Sequence, residues 1–392
     1  MLKLSLKLPH IYFWDCLLFK TNRKILAYFD YTLPLLIAPI ILLSWFLINE
    51  NNEFLGNKVL VYVGVGLLIF AVVFLIPVRR IPWFIVGFYC VNVALLVLVE
   101  FFGDTRLGAQ RWLEIPFIHF TFQPSETMKP ALILMIAYYV DKKPPPKNGY
   151  KLLDFLKLSF LILLPFLLVL KQPDLGTALI LLLMSFGALF LIGVNYKIWL
   201  TLAIGVLFLS PILYANLHDY QKKRIVDFIS KEPDYQVKQA MIAVGSGGIY
   251  GKEKEAATQA LYKFLPIATS DFIFPYFVER FGFVGAVGLF ILYASLIFHI
   301  FSMSYENEKD YFLKMISYCI GLLIFIYSGV NIAMTIGLAP VVGIPLPLFS
   351  YGGSSFITFM ILFAVLENLL AFRYKFVYNH TSFSKRALSS AG

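Results

Sequence analysis

The sequence predicts an all-α polytopic integral membrane protein. It has about ten transmembrane helices on a ~20-residue criterion, both termini cytoplasmic, and one large extracytoplasmic loop between helices seven and eight. Three observations predict this. Of 392 residues, 59% are hydrophobic and only 14% charged, against about 25% charged in a soluble domain, so there is too little charge to cover a soluble surface. Apolar runs recur from near residue 31 to near residue 372, which excludes both a tethered soluble enzyme and a disordered chain. Lys and Arg are dense in alternate short loops and sparse in the others, which sets the orientation.

Runs bounded by charge, Pro or Gly place the spans at 31–48, 59–76, 81–102, 125–140, 152–170, 175–194, 198–217, 272–301, 311–336 and 351–372. Only Lys171-Gln172-Pro173-Asp174 separates the fifth from the sixth. With the N-terminus inside, inner segments hold Lys20, Arg23, Lys24, Arg79, Arg80, Lys142, Lys143, Lys147, Lys151, Lys197, Lys309, Lys314, Arg373 and Lys375. Short outer loops hold only Lys58, Arg106, Arg111 and Lys171. The organisation is then a cytoplasmic N-terminal segment (1–30), one membrane domain (31–372) with its outer loop at about 218–270, and a cytoplasmic tail (373–392).

The net charge of +10 serves orientation rather than nucleic acid, and membrane lipids are the expected surroundings. Cys16, Cys90 and Cys319 form no disulfide framework, and the five dispersed histidines make no zinc set. Pro9, Asp15 and Lys20 interrupt what would be the apolar core of a cleaved signal peptide.

Three polar clusters fall on the outer side. The first runs Gly108-Ala109-Gln110-Arg111-Trp112-Leu113, then Gln123-Pro124-Ser125-Glu126 and Lys129. Ser125 is placed to cap the helix, and Glu126 suits its dipole. Glu126 and Lys129 share a face; they are either a helix-start ion pair or, as ionisable groups inside a span, a mark of a substrate path. Trp112 reads as an interface-belt residue or as a wall for a sugar. The second cluster is Gln172-Pro173-Asp174-Leu175-Gly176-Thr177, where Asp174 suits a helix cap.

The third cluster is the loop 235–252, continuing to Phe264-Leu265-Pro266. Its glycines fit neither nucleotide motif: a P-loop needs Gly where Ser246 stands and Ser or Thr where Glu253 stands, and the dinucleotide fingerprint needs Gly at Tyr250. What remains is a close backbone approach permitted by glycine, beside Lys238 and Lys252. Asp271 follows, directly before an apolar span. It is either a helix cap or a carboxylate at lipid-head-group depth, where partial desolvation would make it a better general base. The last feature, 337–355, is uncharged and kept non-helical by Pro340, Pro345 and Pro347, ending in Ser350-Tyr351-Gly352-Gly353. Irregular backbone at this depth must be covered by protein or line a cavity, so it is a groove wall or a buried re-entrant connection.

Taken together, 108–113, 123–129, 172–177, 235–252, 258–266, Asp271-Phe272-Ile273-Phe274 and 340–355 closely resemble the SEDS family (shape, elongation, division and sporulation), in order, from about residue 30 to 372. The Pro-Val-Val-Gly-Ile-Pro-Leu-Pro-Leu run and the Thr258-Gln259 before Phe264 look more like its elongation branch than its division branch. The resemblance implies a ten-helix peptidoglycan glycosyltransferase. It would polymerise lipid II on an undecaprenyl-pyrophosphate-linked strand, alongside a class B penicillin-binding protein and other elongation proteins. It also implies that Asp271 matches the family's essential loop aspartate, Trp112 an important tryptophan, and Arg111, Glu126 and Lys129 polar positions of its central cavity. Glu279 is kept; Arg280 stands where a second acidic residue is common, and Thr269-Ser270 where His-Thr is usual. No dedicated metal site shows, although Mg or Mn bridging Asp271 or Glu126 to a pyrophosphate is compatible with these residues. The alternatives are a lipid II flippase, with Asp154 and Asn195 as inner polar positions, and a division-type member.

Overall fold

The computed structural model of the chain describes residues 28–106, 109–115, 120–215, 222, 226, 228, 234–257, 259, 264, 268–306 and 309–389. Each predicted span is helical: α1 (Thr32–Asn51), α2 (Glu53–Leu75), α3 (Pro82–Phe102), α4 (Pro124–Lys142), α5 (Leu152–Lys171), α6 (Leu175–Ile192) and α7 (Tyr196–Ala215), then α9 (Ile273–Glu306), α10 (Tyr311–Thr335) and α11 (Gly353–Ser389). A further helix, α8 (Tyr235–Ser246), forms within the outer loop. Helix is forced in hydrocarbon, because each run must satisfy its own backbone groups. Side chains close several ends: Asn52 accepts from the amides of Phe54 and Leu55, Asp174 from Thr177, and Asp310 from Leu313. Residues 1–27 and parts of 218–270 lie outside the described residues.

Eight of these helices are long and apolar enough to cross a membrane; α4 and α7 are not among them. For α4 the reason is its position. It packs against α3, α5, α6, α10 and α11 and is buried nearly all round, so its polar residues face protein rather than lipid. In contrast, α7 is mostly exposed along its length and is anchored near its start, where Trp199 meets the rings of Phe155, Phe186 and Phe190 edge-on.

The fold is not purely helical. Between α3 and α4 a small antiparallel sheet forms in the order β1 (Asp104–Arg106), β2 (Ala109–Ile115), β3 (Phe120–Phe122). The sequence reading missed it because such short strands have too few residues to show a period of two. Trp112 lies opposite Asp104 on β2.

Nor is the eighth span one straight helix. As a single rod the 34 residues of α9 would reach about 51 Å, well beyond a ~30 Å hydrocarbon core. The chain breaks at Gly282, at φ 66° and ψ −165°. The amides of Phe283 and Val284, orphaned by the break, donate to the carbonyls of Gly248 and Ile249 at 2.9 and 3.1 Å. The glycines around 247–251 therefore approach the backbone of 278–282, not a phosphate. A Cβ on Gly282 would sit 2.3 Å from the Gly251 nitrogen, and one on Gly251 2.2 Å from the Arg280 carbonyl oxygen. Gly282→Ala and Gly251→Ala should each cost about 2–5 kcal/mol through strain and overpacking. Gly64→Ala on α2, with nothing within 4 Å, should be neutral; thermal unfolding of the purified protein checks the contrast.

Ion pairs also tie the helices together at the end that the charge asymmetry assigns to the cytoplasm. Arg79 bridges Asp141 at the end of α4 and Asp310 at the start of α10, at 2.9 and 2.6 Å. Asp30, before α1, is 2.5 Å from the His299 ring on α9, and its amide donates to Glu367 on α11 at 3.1 Å. Burial alone would raise the Asp30 carboxyl, but the hydrogen bonds from His299 and Thr32 outweigh it and hold it below the usual carboxylate range. A depressed carboxylate stabilises the fold above its unfolded pKa and loses that contribution as pH falls through the folded value. Stability should therefore fall below about pH 4, and Asp30→Asn should flatten that limb in a melting series across pH.

Candidate active site

The start of α4 carries the buried charges. Gln123 occupies the cap position, Pro124 opens the helix and Glu126 lies in its first turn. Ser125 does not cap the helix as its spacing suggested: its hydroxyl is buried and has no partner among the described residues. Lys129 is 1% exposed. Its ammonium donates to Glu126 Oε1 at 2.5 Å and to the Tyr327 hydroxyl on α10, with the Tyr327 ring centroid 5.0 Å away. Glu126 Oε2 is buried without a partner among the described residues. Such a pair persists in low dielectric only because each charge offsets the other's desolvation.

The second constellation joins β2 to the α5–α6 turn. Arg111 donates through Nε to the Gln172 carbonyl at 3.3 Å and through Nη2 to that of Pro173, while Nη1 lies 3.5 Å from Asp174 Oδ1. Asp174 Oδ2 accepts from the Gln123 side-chain amide at 3.2 Å, and Oδ1 accepts from the Thr177 backbone amide at 3.3 Å. Asp174 is thus a cap, as predicted, and also the joint between three elements. Arg111 remains half-exposed and places the half-buried Trp112 beside it.

Asp271 lies just before α9 and is half-exposed. Ser270 donates to its carboxylate at 3.3 Å, and Oδ2 faces Gly343, where a Cβ would come within 3.5 Å. Gly343 has φ +73°, a conformation that side chains rarely adopt. The 337–352 connection is non-helical, as Pro340, Pro345 and Pro347 required. It is covered by protein: Ser44 on α1 donates to the Phe349 carbonyl and Tyr293 on α9 to that of Pro347, both at 2.6 Å. It also lines a small, shallow hollow with α1 and α2, where Ile41, Ser44 and Tyr62 face Leu348, Ser350 and Gly352. Gly353 opens α11 against the Tyr62 ring.

Lys238 and Lys252 are not drawn into these bonds. Lys238 is exposed on α8, and Lys252 sits at the Gly282 break, where its amide donates to the Glu279 carbonyl at 3.0 Å. Glu279 is 0% exposed. Its Oε1 accepts from the Gln259 amide at 3.2 Å, which ties the outer loop to α9. Arg280, where the resemblance suggests an acid, forms a two-point pair with Glu50 on α1 at 2.5 and 2.8 Å. Sequence reasoning missed Tyr327, Asn331 and Glu50. A lone asparagine within an apolar span was the available signal for Asn331. Among the described residues no three His, Cys, Asp or Glu side chains gather as a metal cage.

A many-helix membrane protein with a buried ion pair and a half-exposed carboxylate facing an irregular connection is built to handle an amphiphilic substrate at the bilayer surface. The chain belongs to the FtsW/RodA/SpoVE cell cycle protein family, whose family model matches residues 24–375. It is 57% identical, over 91% of its length and 94% of the relative's, to the peptidoglycan glycosyltransferase MrdB of Helicobacter pylori. A solved chain described as coordinating polymerization and crosslinking in a peptidoglycan synthase complex superimposes with a TM-score of 0.76 at 26% identity, covering 88% of this chain and 98% of that one. A mutant of the rod shape determining protein RodA of Thermus thermophilus gives 0.67 at 26% identity, with the same coverage.

Proposed function

We propose that this chain polymerises lipid II into glycan strands at the outer face of the membrane, with Asp271 as general base. It is a peptidoglycan glycosyltransferase of the rod-shape type and a multi-pass protein of the bacterial inner membrane. The donor is a growing strand whose MurNAc anomeric carbon bears undecaprenyl pyrophosphate; the acceptor is the GlcNAc 4-hydroxyl of lipid II. An α-linked donor giving a β-1,4 product requires inversion in one displacement. The Asp271 carboxylate takes the hydroxyl proton as the new C–O bond forms and the pyrophosphate departs.

The observation that carries this reading is the placement of Asp271. Its backbone is fixed by surrounding bonds while its carboxylate stays half-exposed beside Gly343. Arg111 and Lys129 are both committed to protein partners. Half-exposed Arg111 and exposed Lys238, unlike the buried Lys129, remain accessible to a leaving pyrophosphate, whose developing charge makes a nearby cation a large catalytic term. A divalent ion, where one is used, would find its protein ligand in the Asp271 or Glu126 carboxylate and would supply positive charge against the departing pyrophosphate. The partner is a class B penicillin-binding protein; a solved relative belongs to a peptidoglycan synthase complex. A flippase gains no support from its inner polar residues: Asp154 pairs with Lys143 at 2.5 Å, and Asn195 accepts from the Lys197 amide at the start of α7.

The test is polymerisation of lipid II by the chain purified with its transpeptidase partner. Glycan strands from the wild-type complex, and none from a folded, partner-bound Asp271→Asn complex, are expected. Equal strands from both would remove Asp271 as the base.

A further inference from the structure

Three successive carbonyls at Asp271 are each held by a separate donor. The Thr269 carbonyl accepts from the Tyr351 amide at 2.8 Å, that of Ser270 from the Ser350 hydroxyl at 2.7 Å, and that of Asp271 from the Asn331 side-chain amide at 2.9 Å. The first two donors belong to the connection itself and would travel with it. Ser350 also accepts from the Leu346 amide at 2.7 Å, which closes that segment on itself. Asn331 is different, because it stands on α10, a buried span of the bundle.

Asn331 is 0% exposed. Its Nδ2 donates both to the Asp271 carbonyl and, at 2.6 Å, to the carbonyl of Ile344, the residue after the glycine that faces the Asp271 carboxylate. Its Oδ1 is buried with no partner among the described residues. A buried amide with one orphaned end is a poor source of stability, so its contribution is geometric. One turn earlier on the same face of α10, Tyr327 takes a hydrogen bond from Lys129. A single helix face therefore fixes both the Glu126–Lys129 pair and the backbone of Asp271.

We propose that Asn331 is a positioning residue for the glycosyl transfer: it references Asp271 and the Gly343–Ile344 wall to α10, and so to the buried ion pair. The inference rests on Asp271 acting as the base. A misplacement of about 1 Å in a reacting group can lower a rate by roughly 10²-fold.

The test uses the complex with its transpeptidase partner and compares Asn331→Leu and Asn331→Ala, which lose both donors, with Asn331→Gln, which keeps them. Melting temperature and partner retention identify the folded variants. The expected result is a fall in kcat of about 10–100-fold for Leu and Ala, with KM for lipid II within about threefold of wild type and partial recovery by Gln. A folded Leu or Ala variant with wild-type kcat would overturn the proposal. So would a loss expressed in KM, or one that Gln shares in full, since either marks a general structural role. An Asp271→Asn complex measured in parallel separates the two readings. If it polymerises normally, the base assignment fails and this inference with it; if it is inactive while Leu and Ala are normal, only the role of Asn331 fails.

Discussion

Asp271→Asn should leave a folded, partner-bound protein that no longer polymerises lipid II. The direction follows from chemistry, because an amide cannot take the acceptor's proton at neutral pH. The magnitude follows from what a positioned base contributes, about 10²–10⁴-fold. The fold should survive because the main-chain bond to Asn331 is untouched, and an asparagine Oδ1 still accepts from Ser270. The measurement is strand length and yield from purified complexes, with the melting temperature as control. A mutant that retains most of the wild-type rate would show that the proton leaves by another route.

The second large effect is expected on stability. Lys129→Met should remove about 3–5 kcal/mol, because it leaves a carboxylate buried without its counter-charge. Glu126 is 8% exposed, and its second oxygen already lacks a partner among the described residues, so nothing nearby replaces the ammonium. The Tyr327 hydroxyl loses its donor as well. Lys129→Met combined with Glu126→Leu should recover most of the melting temperature, since an apolar pair of similar volume avoids the desolvation penalty altogether. If the single variant melts like wild type, the pair is not sealed from solvent as its geometry indicates. Polymerisation by the stable double variant then separates a structural pair from one that touches substrate.

Much of the architecture was legible in the chain. All ten runs placed from the sequence are helical, and eight of them have the length and composition of a crossing, because hydrocarbon enforces helix and excludes charge, and both constraints write themselves into composition over about 20 residues. The cap at Asp174 was readable for a similar reason: a cap is a local bond between a side chain and amides a few residues away. The pairing of Glu126 with Lys129 was visible as a three-residue spacing on one helix. Its third member was not, since Tyr327 lies 198 positions away in sequence. Arg280 illustrates the same limit. Its partner Glu50 comes from α1, and no local pattern joins two residues 230 apart.

The glycine-rich stretch is the instructive error of emphasis. Spacing rejected both nucleotide motifs and left a close approach to something unidentified. That something is the chain itself, at the Gly282 break, where carbonyls of the loop satisfy amides that the broken helix cannot. A reader of the sequence sees Gly282 as one more small residue in an apolar run.

By itself, then, the sequence determined the membrane class, the ten apolar helices and their order, and an irregular connection read as 337–355, of which 337–352 is non-helical. These depend on composition, charge and short spacings. Only the tertiary structure decided that Arg111 is tied to the α5–α6 turn, that the loop glycines serve a helix break, and that one face of α10 holds both the buried ion pair and the backbone of Asp271. Those facts rest on hydrogen bonds and ion pairs between distant segments, and such bonds come into being only once the helices have packed.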